Sequence, residues 1–118
     1  MTPQALKAFR IRVPDCELAV YADLGSGTVL GADGALRYPQ EYLDALCACA
    51  ATLFQSAPQD GFEPVEHVLF LGPTGGRGFF RRLDEPNEAL CCICAPGIAA
   101  DRLIAEARVA LAKGGAAA

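Results

Sequence analysis

The sequence predicts an α+β domain: one antiparallel sheet of five strands with helices packed on it, in the order α-β-β-α-β-β-β-α. Short segments rich in apolar residues are separated by glycine and proline turns, which is the pattern of strands joined by hairpins. Two longer segments repeat their apolar residues at helical spacing, one after the first hairpin and one near the end of the chain. Because hairpins join antiparallel neighbours, a hairpin, a helix, a three-strand meander and a closing helix predict a single sheet.

A short helix is expected at the start of the chain, over residues 3–12. Thr2 is a suitable N-cap, Pro3 fits the first helical position, and Pro14 ends the segment. An apolar and aromatic run, a Gly-Ser-Gly turn and a second run then predict a hairpin. Its two strands are expected at residues 17–24 and 28–32.

The clearest helix of the sequence is expected over residues 39–56. One of its faces is apolar and the opposite face is polar. The apolar face consists of Leu43, Leu46, Cys47, Ala50, Leu53 and Phe54. The apolar stripe is wider than contact with one sheet requires, and its additional residues are Tyr42, Ala45, Cys49 and Thr52. This flank is a candidate second packing surface.

The second half of the chain predicts a loop, a three-strand meander and a closing helix. The loop is expected at residues 57–64, the strands at 65–71, 77–83 and 88–95, and the helix at 98–113. The last strand is almost continuously apolar, as expected for a strand buried on both faces. Gly114 and Gly115 are expected to end the helix and to leave residues 114–118 as a frayed tail. No linker divides the chain, so one domain is expected over residues 1–118.

The composition narrows the classes of function. The chain has 118 residues and a net charge of −4, and its basic residues are scattered. A nucleic-acid-binding protein would carry a basic stripe, so no nucleic-acid partner is expected. Apolar residues make up 53% of the chain, which leaves apolar surface for a protein partner. No signal peptide or membrane-spanning apolar run is recognisable, so a cytoplasmic protein without a membrane partner is expected.

The six cysteines are expected to be reduced and structural. Cys47 and Cys49 lie two residues apart in a helix, about 200° around its axis, so they cannot share a metal ligand geometry. Cys92 and Cys94 face one side of a strand and Cys91 faces the other. Cysteine is among the residues most often buried, and Cys16 completes the set. No metal site is expected.

Two other features suggest nucleotide binding or catalysis, and both have simpler interpretations. The glycine-rich segment 72–78 lacks the Lys-Ser/Thr pair of a phosphate loop and precedes a strand, which favours a hairpin turn. His67 is the only histidine of the sequence, and the alternation around it favours an ordinary strand residue. An enzyme that uses His67 with a cysteine is the alternative. We expect no catalytic residues and no cofactor.

Four stretches carry a resemblance to a known family. Residues 14–32 match an opening hairpin with an acidic residue and glycine at its turn, and residues 42–54 match a long central helix. Residues 65–83 contain a V-E-H-V-L strand, a glycine turn and an aromatic, basic strand, and residues 89–111 match a last strand and closing helix. In these features the chain resembles the roadblock/dynein light chain family, which includes bacterial MglB proteins that act with a Ras-like GTPase. The first helix is shorter than is usual in that family.

The resemblance implies a homodimer in which strands near residues 65–71 pair across two copies and the central helices pack together. It also implies a non-enzymatic interaction module that regulates or scaffolds a small Ras-like GTPase, or that serves in a larger complex. The interface residues that follow are Tyr42, Ala45, Cys49, Thr52, Val65, His67, Leu69 and Leu71. A small-ligand sensor of profilin-like or PAS-like architecture is the alternative, because those domains also wrap helices around an antiparallel sheet.

Overall fold

The computed structural model describes residues 1–55 and 64–116. The helices are α1 (Pro3–Arg12), α2 (Gln40–Gln55) and α3 (Ala100–Ala116). The strands are β1 (Cys16–Asp23), β2 (Thr28–Gly34), β3 (His67–Gly72), β4 (Gly75–Arg82) and β5 (Glu85–Cys94). The predicted order α-β-β-α-β-β-β-α is confirmed. Within these residues, no helix combines the length and the apolar character needed to cross a membrane.

The five strands form one antiparallel sheet in the order β2-β1-β5-β4-β3. The last strand in sequence therefore lies in the centre, between the two hairpins. Its residues from Ala89 to Cys92 are fully buried, as the continuous apolar run predicts for a strand covered on both faces. The strands β2 and β3 form the two edges.

Helices cover both faces of the sheet and divide the core into two clusters. On one face α1 and α3 pack against each other and over the sheet, and on the other face α2 packs over β2, β1 and β5. The cluster under α1 and α3 includes Leu6, Phe80 and Leu103, and the cluster under α2 includes Leu46 and Phe79. The capping prediction for α1 is confirmed, because the Thr2 hydroxyl accepts a hydrogen bond of 3.1 Å from the Ala5 amide.

Two of the predicted boundaries were wrong for the same reason: glycine was expected to lie outside the strand and to end the helix. The strand β4 begins at Gly75 and not at Arg77, and the turn before it consists of residues 73 and 74. The helix α3 continues through Gly114 and Gly115 to Ala116. Glycine lowers helix and strand stability by about 1 kcal/mol, which neighbouring contacts can offset. Residues 57–63 of the predicted loop and residues 117 and 118 lie outside the described residues.

The cysteines fall into two groups separated by the sheet. Cys16, Cys92 and Cys94 belong to the cluster under α1 and α3, whereas Cys91 lies under α2 with Cys47 and Cys49. All are free thiols, and all except the half-buried Cys49 are buried. Burial raises the pKa of the Cys91 thiol, and contact with the Cys92 thiol raises the pKa of Cys16. A raised pKa reduces the thiolate fraction at neutral pH, so these thiols are poor nucleophiles.

Replacing one buried thiol by a hydroxyl tests whether the cysteines act as apolar core residues. We expect Cys92→Ser to lower the free energy of unfolding by about 1–3 kcal/mol, because a hydroxyl is costly to bury at a fully covered position. The matched change Cys49→Ser, at a half-buried position, should cost less than about 1 kcal/mol. Urea unfolding followed by circular dichroism measures both values, and equal losses would contradict the expectation.

Candidate interaction surface

The strand β3 presents an unpaired backbone edge. The Arg81 amide donates a hydrogen bond of 2.9 Å to the Glu66 carbonyl oxygen just before the strand begins. In an antiparallel ladder, residues alternate between facing their neighbour and facing away from it. The backbone groups of Val68 and Phe70 therefore face β4, and those of His67, Leu69 and Leu71 face outward. Among the described residues no other group bonds to these outward-facing positions, so each of the three residues offers one N–H donor and one carbonyl oxygen at the edge.

The side chains of β3 divide between the two faces of the sheet. Leu69 packs against the cluster under α1 and α3, and the His67 ring lies 6.2 Å from the Phe80 ring on the same side. Val68 packs against the cluster under α2, and the Phe70 ring meets the Phe79 ring edge-on at 6.4 Å. Half of Phe70 is nevertheless exposed, since the main contacts of α2 are with β2, β1 and β5. The result is an apolar edge that is open to a partner.

Glycines in β4 allow the leucines of β3 to lie close to the sheet. A Cβ atom at Gly76 would come within 2.7 Å of the Leu71 side chain, and one at Gly78 would come within 3.1 Å of Leu69. Both distances are shorter than ordinary van der Waals contact. The pairing of β3 with β4 is regular over its whole length, without a bulge. The glycine-rich segment therefore supplies space for the leucines of β3 in addition to its turn.

Arg81 joins the beginning of β3 to the end of α2. Its Nε donates a hydrogen bond of 2.8 Å to the Val65 carbonyl oxygen, and its guanidinium carbon lies 4.5 Å from the centre of the Phe54 ring. This is the geometry of a cation–π contact. Burial lowers the pKa of Arg81, although a guanidinium stays charged at neutral pH. The edge strand is thus tied to both β4 and α2.

The flank of α2 that faces β3 carries four of the predicted residues. Tyr42 and Cys49 are half-buried against the cluster under α2, and Ala45 and Thr52 are exposed. The Tyr42 ring stacks on Tyr38 with ring centres 5.4 Å apart. Between Tyr42 and the end of the β3–β4 hairpin lies an open groove of about 530 Å³. Phe70, Ile93 and Arg77 line this groove.

The opposite edge of the sheet is less suited to pairing. The pairing of β2 with β1 contains an irregularity between Tyr21 and Ala22. Asp33 on β2 forms an ion pair with Arg10 of α1, with an oxygen–nitrogen distance of 2.7 Å. Bulges and charged residues are the features that protect edge strands from association. Within the part of the chain that the structure describes, β3 is the edge strand that has neither a bulge nor an ion pair.

The predicted interface residues fall on two sides of the sheet. Tyr42, Ala45, Cys49 and Thr52 lie on the α2 side, whereas the side chains of His67 and Leu69 lie on the side of α1 and α3. Val65 precedes β3 and is exposed. Sequence reasoning missed Val68 and Phe70, which are the β3 side chains on the α2 side. Strand alternation alone identifies both sets, but it does not say which set shares a face with the helix.

Among residues 1–55 and 64–116, no three His, Cys, Asp or Glu side chains are placed to hold a metal ion. His67 is half-buried and contacts an aromatic ring. The exposed components of the surface are mainly apolar side chains and edge backbone groups, together with the polar side chains of Arg77 and Thr52, and this mixture suits association with another protein.

Solved structures with the same architecture are known. A Roadblock/LC7 domain from Streptomyces avermitilis superposes with a TM-score of 0.81 at 16% sequence identity, over 98% of this chain and 95% of that one. The chain has the roadblock fold. MglB of Myxococcus xanthus gives a TM-score of 0.76 at 9% identity, over 94% of this chain and 89% of that one. The gliding protein MglB of Thermus thermophilus gives a TM-score of 0.72 at 16% identity, over 98% of this chain and 88% of that one.

No sequence profile of a protein family matches the chain, and no curated protein matches it in sequence. The fold that the four stretches of sequence imply is therefore confirmed through structure, at identities of 9–16% in these three comparisons. Structural likeness of this kind persists where sequence similarity is lost, because a fold tolerates many apolar sequences with the same pattern.

Proposed function

We propose that the protein is a non-enzymatic, cytoplasmic interaction module that forms a homodimer and regulates or scaffolds a small Ras-like GTPase, or serves as a subunit of a larger complex. The observation that carries this proposal is the regular, apolar and unpaired edge of β3 beside the exposed flank of α2. The roadblock fold supports it, because MglB proteins share that fold and the resemblance links them to a Ras-like GTPase. One of the solved structures is described as MglB with a tetrameric arrangement.

The first partner in this proposal is a second copy of the chain. Two β3 strands that pair antiparallel about a twofold axis extend the sheet across both copies and keep both α2 helices on one face. The free N–H and carbonyl groups of the edge are then satisfied. The half-exposed Phe70 and the flank of α2 become covered on the same side. The second copy is expected to fill the groove beside Tyr42.

The free backbone groups favour one register for this pairing. A twofold axis places one residue of β3 opposite its own copy. If that residue is Leu69, His67 pairs with Leu71 of the copy, and the three outward-facing residues form about six hydrogen bonds. A register centred on Phe70 would form about four hydrogen bonds between strand residues. It would also bring His67 opposite Pro73 of the copy, which has no N–H donor. The first register also places Val68 opposite Phe70 of the copy, a favourable cross-strand pair.

A small-ligand sensor is less well supported by the groove beside Tyr42. Pockets for small ligands bury most of the ligand surface. This groove is open to solvent along the edge of the sheet, and it is bounded by a helix and a hairpin. A groove of this shape accommodates an element of secondary structure, which favours a protein partner.

A charged residue at the edge should separate the dimer. We expect Phe70→Asp to raise the dissociation constant of the dimer by about a hundredfold or more, because the apolar ring is lost from the interface and a carboxylate would have to be desolvated there. Leu30→Asp, on the other edge strand and equally exposed at about half of its surface, is the matched control and should leave the dimer intact. Light scattering across a dilution series measures both. A wild-type chain that is monomeric at high micromolar concentration would contradict the dimer.

Disulfide trapping tests the register. One chain carries Val68→Cys and the other carries Phe70→Cys, and the two are mixed and oxidised with glutathione disulfide. We expect a cross-linked dimer in the mixture, since these positions oppose each other at about 4.5 Å between Cα atoms. Each chain alone should cross-link far less. Strong cross-linking of Phe70→Cys alone would instead indicate the register centred on Phe70.

Binding to a small GTPase tests the second part of the proposal. We expect a Ras-like GTPase from the same organism to bind the wild-type dimer in calorimetry, and to bind Phe70→Asp at least about tenfold more weakly, because the extended surface of two copies is lost. Leu30→Asp should bind as the wild type does. If no such GTPase binds in either its GTP-analogue or its GDP state, the GTPase part of the proposal is wrong, whatever the oligomeric state.

A further inference from the structure

A second groove lies on the side of the molecule away from α2, between α1 and α3. Each helix contributes residues at spacings of three, four and seven to it, which is one helical face. These residues are Ala5, Ala8, Phe9 and Arg12 of α1, and Glu106, Val109, Ala110 and Lys113 of α3. The cavity at its centre measures about 100 Å³ and is walled mainly by apolar atoms. It has room for one medium-sized apolar side chain.

Cations stand at both ends of this groove. At one end Arg12 lies 3.8 Å from Glu106, and Arg102 donates a hydrogen bond of 2.8 Å to the Arg12 carbonyl oxygen. At the other end Lys113 is exposed and lines the groove. Arg102 and Lys113 are about 16 Å apart along the helix axis. Of these four charged side chains, only one is acidic.

The helices α1 and α3 also contain more basic than acidic residues. The segments of α1 and α3 contain six basic and two acidic residues, although the chain as a whole has a net charge of −4. By contrast, α2 contains two acidic residues and no basic residue. Three of the six basic residues form ion pairs, Arg10 with Asp33, Arg12 with Glu106 and Arg108 with Glu66. Of the other three, Arg102 and Lys113 lie at the ends of the groove, where they attract acidic groups.

We propose that the groove between α1 and α3 binds an amphipathic helix of a partner protein, through an apolar anchor in the central cavity and acidic residues at each end. Two antiparallel helices form a groove into which a third helix packs ridge against groove. Val109, which is 41% exposed, and Ala8 form the apolar contact. Arg102 and Lys113 recognise carboxylates about eleven residues apart in the partner. The site is separate from the β3 edge, so a dimer can bind one such helix on each copy.

Two synthetic peptides test this site. Both are acetylated and amidated helices with leucine anchors, and they differ only in carrying glutamates or lysines at the flanking positions. We expect the glutamate peptide to bind the full chain, with amide chemical shift changes confined to α1 and α3, and the lysine peptide not to bind. Ala8→Trp, which fills the cavity, should weaken binding at least about tenfold. The double variant Arg102→Glu/Lys113→Glu should prefer the lysine peptide.

Controls separate the groove from general charge effects and from other occupants. Lys7→Glu changes the charge of α1 away from the lining residues and should leave peptide binding unchanged. Circular dichroism checks that each variant folds. The proposal is overturned if the glutamate peptide causes no shifts at millimolar concentration, or if both peptides bind equally. It is also overturned if Ala8→Trp dissociates the dimer, because that result indicates a second copy in the groove. Binding of phosphatidylserine vesicles to the groove, without binding of the glutamate peptide, would overturn it as well.

Discussion

The structure depends on the burial of β5 on both faces. This strand is last in sequence but central in the sheet, where it pairs with β1 on one side and with β4 on the other. Without it the first hairpin and the second would have no connection within the sheet. Its side chains alternate between the two cores, with Cys91 under α2 and Cys92 under α1 and α3. Because a doubly covered strand has no polar face, the helical layers on both sides are required for its burial.

A central β5 determines which strands remain at the edges. The first hairpin contributes β2 to one edge, and the second contributes β3 to the other. The two edges have different chemistry: β2 has an irregular ladder and an ion pair at Asp33, whereas β3 is regular and apolar. In addition, α2 packs over β2, β1 and β5, toward the protected edge. Among the described residues, both the strand pairing and the helix packing are thus incomplete on the side of β3, and one partner placed there would satisfy both.

Much of the fold was predictable from the sequence because it follows from local patterns. The alternation and turn residues predict the hairpins, and the continuous apolar run predicts the central position of a buried strand. The role of the glycines in β4 was not predictable in this way. Gly76 lies outside the strand predicted at residues 77–83, yet it belongs to β4, and the Leu71 side chain of β3 occupies the space that a side chain at Gly76 would need. The pairing of Val68 and Phe70 with the α2 side likewise depends on register and handedness, which no single segment encodes.

The distribution of charge along α2 is compatible with antiparallel packing of two such helices. Its acidic residues, Glu41 and Asp44, lie near the N-terminus, where a carboxylate interacts favourably with the helix dipole. The side chain of Gln40 donates a hydrogen bond of 2.9 Å to Asp44. From Ala45 to Gln55 the helix has no charged residue. In the proposed dimer, a twofold axis would place the acidic beginning of one helix beside the uncharged end of the other, so like charges would stay apart. A parallel arrangement would instead bring the four carboxylates together.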